Sequence, residues 1–168
     1  MATTINSFAE LYTNVNAKIE LAVRDTIQDL LKELQDIIIR EVYSYPISGE
    51  NWDNRTYEFL ESWNASEPIV LGNLVQAVIS QDGFNFTWNS DRDMWSHGNG
   101  LYPIFTEFLD DVINDGLDES NFDFPAIEGR PYWDEFKIYC AENLNLIFYK
   151  NCQKHGLPLM NKISYKFT

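Results

Sequence analysis

Asp91, Asp93 and His97 lie within one short polar stretch. Two carboxylates and an imidazole so close together are a donor set that suits a divalent cation. No second His and no Cys accompanies them, and Gly98 and Gly100 follow, so the expectation is a polar loop tip, with a metal-dependent hydrolase as the competing reading. Asp110-Asp111 is a pair of carboxylates, but neighbours on a helix point about 100° apart and cannot flank one bond. Nucleophilic catalysis needs a Ser or Cys beside a base, and the only histidines are His97 and His155. His155 falls at the end of a helical stretch, where a cation favours the dipole. Cys140 lies on the apolar side of that stretch and reads as an inert core thiol. No glycine pattern for cradling phosphates is present. These residues point to no catalytic, cofactor or metal site, and so to a protein that works by binding.

The surrounding elements read as two long helices and a small sheet. Ser7-Phe8-Ala9-Glu10 has capping-box spacing, and apolar residues then recur at helical intervals through Ile19, Val23, Ile27, Leu30, Leu34, Ile37, Ile38 and Val42. Pro46 ends the run, which gives one helix over 7–45, or two with a kink at Asn14 and Asn16. Arg55 to Trp63 reads as a short helix or turn packed by Tyr57, Leu60 and Trp63. Two strands follow, one over 69–79 and one over 84–88, joined by a hairpin turn at Asp82-Gly83. The aromatic face of this hairpin, Phe84, Phe86 and Trp88, is expected on the long helix.

A helix opening at Pro103 passes Phe105, Phe108, Val112 and Ile113 and stops at Gly116. An acidic connector leads to the last helix, Tyr132 to about His155, apolar along Trp133, Phe136, Cys140, Leu144, Ile147 and Phe148 and closed by Gly156 and Pro158. Ile163, Tyr165 and Phe167 alternate as a terminal strand. The expected fold class is α+β, a long N-terminal amphipathic helix and a C-terminal helix packed on a small antiparallel sheet. It forms one domain over 1–168: the long helix at 7–45, then hairpin, loop, short helix and connector over 55–128, then the C-terminal helix and strand over 129–168. Cys140 and Cys152 stand about 18 Å apart on a continuous helix, beyond the roughly 7 Å a disulfide spans. Both are expected as free thiols, which fits a reducing compartment.

Composition narrows the function classes. The 168 residues fit one domain, and a 45% hydrophobic, 15% aromatic chain has enough apolar surface to fold. The first residues carry neither the basic start nor the apolar run of a signal peptide, and no stretch reaches the ~20 apolar residues of a membrane span, so no membrane partner is expected. Net charge is −14, from 26 acids against 12 bases, which argues against a nucleic-acid groove. The charge is uneven. Glu107 to Glu135 is densely acidic with only Arg130 in opposition, whereas beyond Phe136 Lys137, Lys150, Lys154, Lys162 and Lys166 face only Glu142. Opposite patches of this kind suit head-to-tail contact between copies, with Lys150, Lys154, Lys162 and Lys166 as inter-subunit contacts.

Val42-Tyr43-Ser44-Tyr45-Pro46, followed by Arg55-Thr56-Tyr57-Glu58-Phe59-Leu60-Glu61-Ser62, resembles the tail-completion, or neck, family of long-tailed bacteriophages. Val112-Ile113-Asn114-Asp115-Gly116 and Gly129-Arg130-Pro131-Tyr132 are similar to that family's second half, where an Arg-Pro-aromatic step precedes the last helix. The sequence departs from it in its longer acidic connector and its terminal strand. The resemblance implies a non-enzymatic virion subunit made in the host cytoplasm and without cofactors. It would dock as a homo-oligomeric ring or collar, with head connector, tail terminator or tail tube as partners. Arg55, Thr56, Arg130 and Pro131 match the motif; an arginine fork can tie a loop through carbonyls, and a threonine can cap a turn. The alternative from another class is an acidic decoy or immunity-type inhibitor that imitates DNA phosphate before a nucleic-acid enzyme or a basic toxin. Against it, the carboxylates concentrate in one connector and the C-terminal end is basic.

Overall fold

Ser7 caps the first helix as its position suggests: its Oγ accepts the N–H of Glu10 at 3.1 Å. The structure, a computed structural model, describes residues 7–44, 57–81, 113–117 and 127–157. Helix α1, Phe8–Ile38, passes Asn14 and Asn16 without a break and runs into a π-helical turn, Ile39–Tyr43. That turn closes with the N–H of Ser44 on the carbonyl of Ile39, five residues back, at 2.9 Å. A single helix therefore replaces the kinked alternative. Helix α2 is short, Glu58–Glu61, and Trp63 already belongs to strand β1, Trp63–Ala65.

The stretch 69–79, expected as one strand, is instead folded back on itself. Strand β2, Ile69–Leu71, pairs antiparallel with β3, Leu74–Gln76, with Val70 opposite Val75. The two residues between them, Gly72-Asn73, make the turn, with Gly72 at φ 63°, a conformation that costs glycine little. A further strand, β4, Ile79–Gln81, pairs with β1. Strands β5, Gly116–Leu117, and β6, Ile127–Glu128, form a third antiparallel pair. Among the described residues the strands thus form three separate two-stranded pairs. The expected strand 84–88, the loop with Asp91, Asp93 and His97, most of the helix from Pro103 and the terminal strand lie outside the described residues, as do Arg55, Thr56, Lys162 and Lys166.

Helix α3, Tyr132–Lys154, ends where glycine predicts. Gly156, at φ 71°, donates to the carbonyl of Gln153 at 3.0 Å, and Leu157 donates to that of Cys152 at 2.8 Å. This is the paired closure of a Schellman motif. The fold class is α+β, two long helices with small antiparallel strand pairs.

The chain divides into two compact units. One comprises 1–32, 65–79 and 138–168; the other comprises 33–64 and 80–137. In the first, Ala22, Thr26 and Leu30 of α1 and Asn151 and Cys152 of α3 are buried. In the second, Leu34, Ile37, Ile38, Val42, Phe59, Trp63, Tyr132 and Phe136 are buried. The apolar side expected for α3 is only partly its buried side: Phe136 is buried, whereas Trp133, Cys140, Leu144, Ile147 and Phe148 are half-buried.

Candidate functional site

Among the described residues two clusters bring chemistry-bearing side chains together, one in each unit. In the first unit Thr26 interrupts the apolar stripe of α1 between Ala22 and Leu30, and its hydroxyl donates to the Ala22 carbonyl at 2.7 Å. The buried amide of Asn151 donates to Thr26 Oγ1 at 3.2 Å and to Asp29 Oδ2 at 2.9 Å. Both of its hydrogens are thereby used, as a buried amide requires. One turn nearer the start of α1, Asp25 Oδ2 lies 2.7 Å from Lys154 Nζ and 2.7 Å from His155 Nε2. An ionised carboxylate only accepts, so Nε2 carries the proton in this contact. The hydrogen bond from Lys154, and then that from His155, hold the Asp25 carboxyl below its ordinary range. The same contact pushes the Lys154 ammonium up.

An Asp–His pair orients a base in hydrolytic sites, but such a site also needs a nucleophile in hydrogen-bond reach of the imidazole. Among the described residues no such nucleophile stands at the imidazole: the Thr26 hydroxyl donates to the helix backbone. Burial pushes the Cys152 thiol up, and it pushes the Cys140 thiol up to about 11, so neither is an activated thiolate. The contacts of Asn151, Lys154 and His155 with Thr26, Asp29 and Asp25 fasten the end of α3 to α1. Arg24 adds an exposed tie on the same helix, from its Nε to Glu67 Oε2 at 2.8 Å.

In the second unit the stretch Gly129-Arg130-Pro131-Tyr132 is the centre. Gly129 runs against the backbone of Asn114 and Asp115, where an added Cβ would stand 2.6 Å from the Asp115 carbonyl carbon. The N–H of Arg130 donates to the Ile113 carbonyl at 2.7 Å, and its Nη1 donates to the Val42 carbonyl at 2.7 Å. Asn114 Oδ1 accepts the N–H of Trp133 at 3.0 Å, which satisfies one of the free donors in the first turn of α3. Aromatic rings meet in the same unit. Phe59 meets Tyr132 edge-on at 5.4 Å, Trp63 stacks on Trp133 at 5.3 Å, and Tyr43 stacks on Tyr57 at 4.8 Å.

Of the residues singled out from the sequence, Arg130 is a backbone tie, and Pro131 sits at the entry to α3 with its carbonyl accepting the N–H of Glu135 at 3.0 Å. Lys154 is engaged by Asp25 within its own chain, while Lys150 is exposed and makes no ion pair among the described residues. His155 does more than favour a helix end, because it shares Asp25 with Lys154. Asp25, Thr26, Asp29 and Asn151 carry no motif that singles them out in the sequence. Their signal was a polar residue within an apolar stripe, at Thr26 and beside Cys152. Among the described residues no group of three His, Cys, Asp or Glu is placed to hold a metal ion. No described helix is long and apolar enough to cross a membrane. Compared with protein-family models, curated proteins and solved structures, the chain matches none of them.

Proposed function

We propose that this chain is a non-enzymatic structural subunit of a long-tailed bacteriophage particle, a tail-completion or neck protein seated as a ring or collar between head connector and tail. One observation carries the reading. The stretches that resemble the neck family, around Val42-Tyr43, Tyr57 to Ser62, 113–116 and Gly129 to Tyr132, pack on one another in the second unit. Arg130 reaches Val42, Tyr43 stacks on Tyr57, Phe59 meets Tyr132, and Gly129 lies against Asn114 and Asp115. Residues that look unremarkable singly thus have a shared reason to occur together, and that reason is architectural.

Charge supports the same reading. A subunit of net −14 lining a passage offers DNA phosphates no cationic partner, so a duplex slides through without adhering. Contacts with neighbouring virion proteins would draw on the exposed Lys150, and on Lys162 and Lys166. Lys154 is the weaker candidate, since Asp25 already holds it. Reversal at Lys150 alone, Lys150→Glu, separates assembly from folding: incorporation into particles should fall while the thermal midpoint stays within a degree or two. Normal incorporation of this variant would remove Lys150 from the interface, and measurable DNA affinity of the wild type at physiological ionic strength would contradict the passage role.

A further inference from the structure

We infer that the β2–β3 hairpin is a self-association element, in which the β3 edge of one copy pairs with the β2 edge of the next copy of this chain. Among the described residues little covers the hairpin: Ile69 is 58% exposed, Leu71 57% and Leu74 53%, and Val70, on the opposite face from Ile69 and Leu71, is exposed too, while its cross-strand partner Val75 is half-buried. Successive strand residues point to opposite sides, so exposure of all three residues of β2 leaves both faces open. Among the described residues β2 and β3 pair only with each other. A lone two-stranded ribbon of this kind is marginal in water and gains stability from further strands.

Hydrogen-bond geometry identifies the open groups. The two-residue turn makes Leu71 and Leu74 the bonded pair that closes it. Alternation then turns the N–H and C=O of Val70, and of Val75, outward to the two edges. Pro68, just before β2, confines the open edge there to β2 itself. The apolar surface continues onto the start of α1, because the Tyr12 hydroxyl donates to the Gly72 carbonyl at 3.3 Å and Phe8, one turn earlier, is 83% exposed.

Charge selects the occupant. From Ile69 to Gln81 the chain has no Asp, Glu, Lys or Arg, in a protein of net −14. A basic partner would be drawn to the carboxylates and gains nothing from a neutral strand. Two copies of this chain each carry a net charge of −14, and a contact through this uncharged segment adds nothing to their repulsion. It also lacks the edge lysines that keep strands apart. Because the β2 and β3 edges differ, the contact is head-to-tail and closes into a ring when the rotation allows.

The inference does not depend on the virion reading: a chain that never enters a particle can still associate through this hairpin, and a virion subunit can be monomeric before docking. Sedimentation equilibrium of the full chain tests it. The wild type should be oligomeric. Val70→Pro and Val75→Pro each remove one outward N–H and leave the hairpin's own bonds in place, so each alone should be monomeric. Mixed, they should form a one-to-one dimer, since each retains the edge that the other lacks. Val70→Lys and Val75→Lys, which block the edges by charge, decide the matter if proline disturbs the helical circular dichroism. A monomeric wild type, an undiminished mass in both variants, or a dimer from either variant alone overturns the inference.

Discussion

Arg130 Nη1 donates to the backbone carbonyl of Val42 across 2.7 Å, joining residues 88 apart in the chain. That carbonyl lies in the π-helical turn, in the stretch where a helix leaves oxygens without intrahelical donors, and a guanidinium is well suited to take it. Arg130→Ala should cost about 1.5–3 kcal/mol, the range for a hydrogen bond from a charged group. Gly129→Ala should cost a further ~1–3 kcal/mol, because the new methyl meets backbone that has to move. Urea denaturation measures both, and a loss under about 0.5 kcal/mol at each would show that this stretch is not the tie described.

Acid should loosen the α1–α3 lock. The Asp25 carboxyl titrates below its ordinary 3.8 in the folded chain, chiefly through Lys154 and then through His155. A depressed carboxyl contributes stability that is present above the unfolded value and is lost as pH falls through the folded one. The stability difference between wild type and Asp25→Asn should therefore be present above pH 3.8 and shrink as pH falls below it. The Lys154 ammonium is shifted the other way, upward, so its share persists below 10.5 and fades above it. A difference that does not change through the acid limb would mean that Asp25 has no such partner.

How much of this was legible beforehand follows the range of each interaction. Ser7 capping α1 and Gly156 closing α3 were readable, because cap and closure are decided within one helical turn. The turn at Gly72-Asn73 was missed, since a run of Ile, Val and Leu reads as one strand and hides a two-residue reversal that Gly-Asn does announce. The short helix or turn expected over 55–63 gives way before Trp63, which opens β1 and packs among rings that arrive from α3. The pairing of Asp25 with Lys154 and His155 spans 129 and 130 residues. No local pattern encodes it, and the lysine looked available for a neighbouring subunit for that reason.

The thiols offer a check on α3. Cys140 and Cys152 are both free, and they stand on one unbroken helix. With the Cys140 thiol pushed up to about 11 from 9.0, its thiolate population at neutral pH is about a hundredfold below that of an ordinary cysteine. Iodoacetamide should label it correspondingly slowly in the native protein, and Cys152 slowly as well, whereas denaturation should expose two alkylatable thiols by mass spectrometry. An intramolecular bridge in the unreduced chain would require α3 to be broken between them.

A reconstruction of a tailed particle made with this chain, compared with one from a deletion mutant, decides whether the chain is a neck subunit. A neck subunit should give a ring or collar of density between head connector and tail that accommodates α1 and α3 and vanishes in the mutant, which should accumulate unjoined heads and tails. Complete, infectious particles from the mutant, with the same density at the neck, would contradict that role.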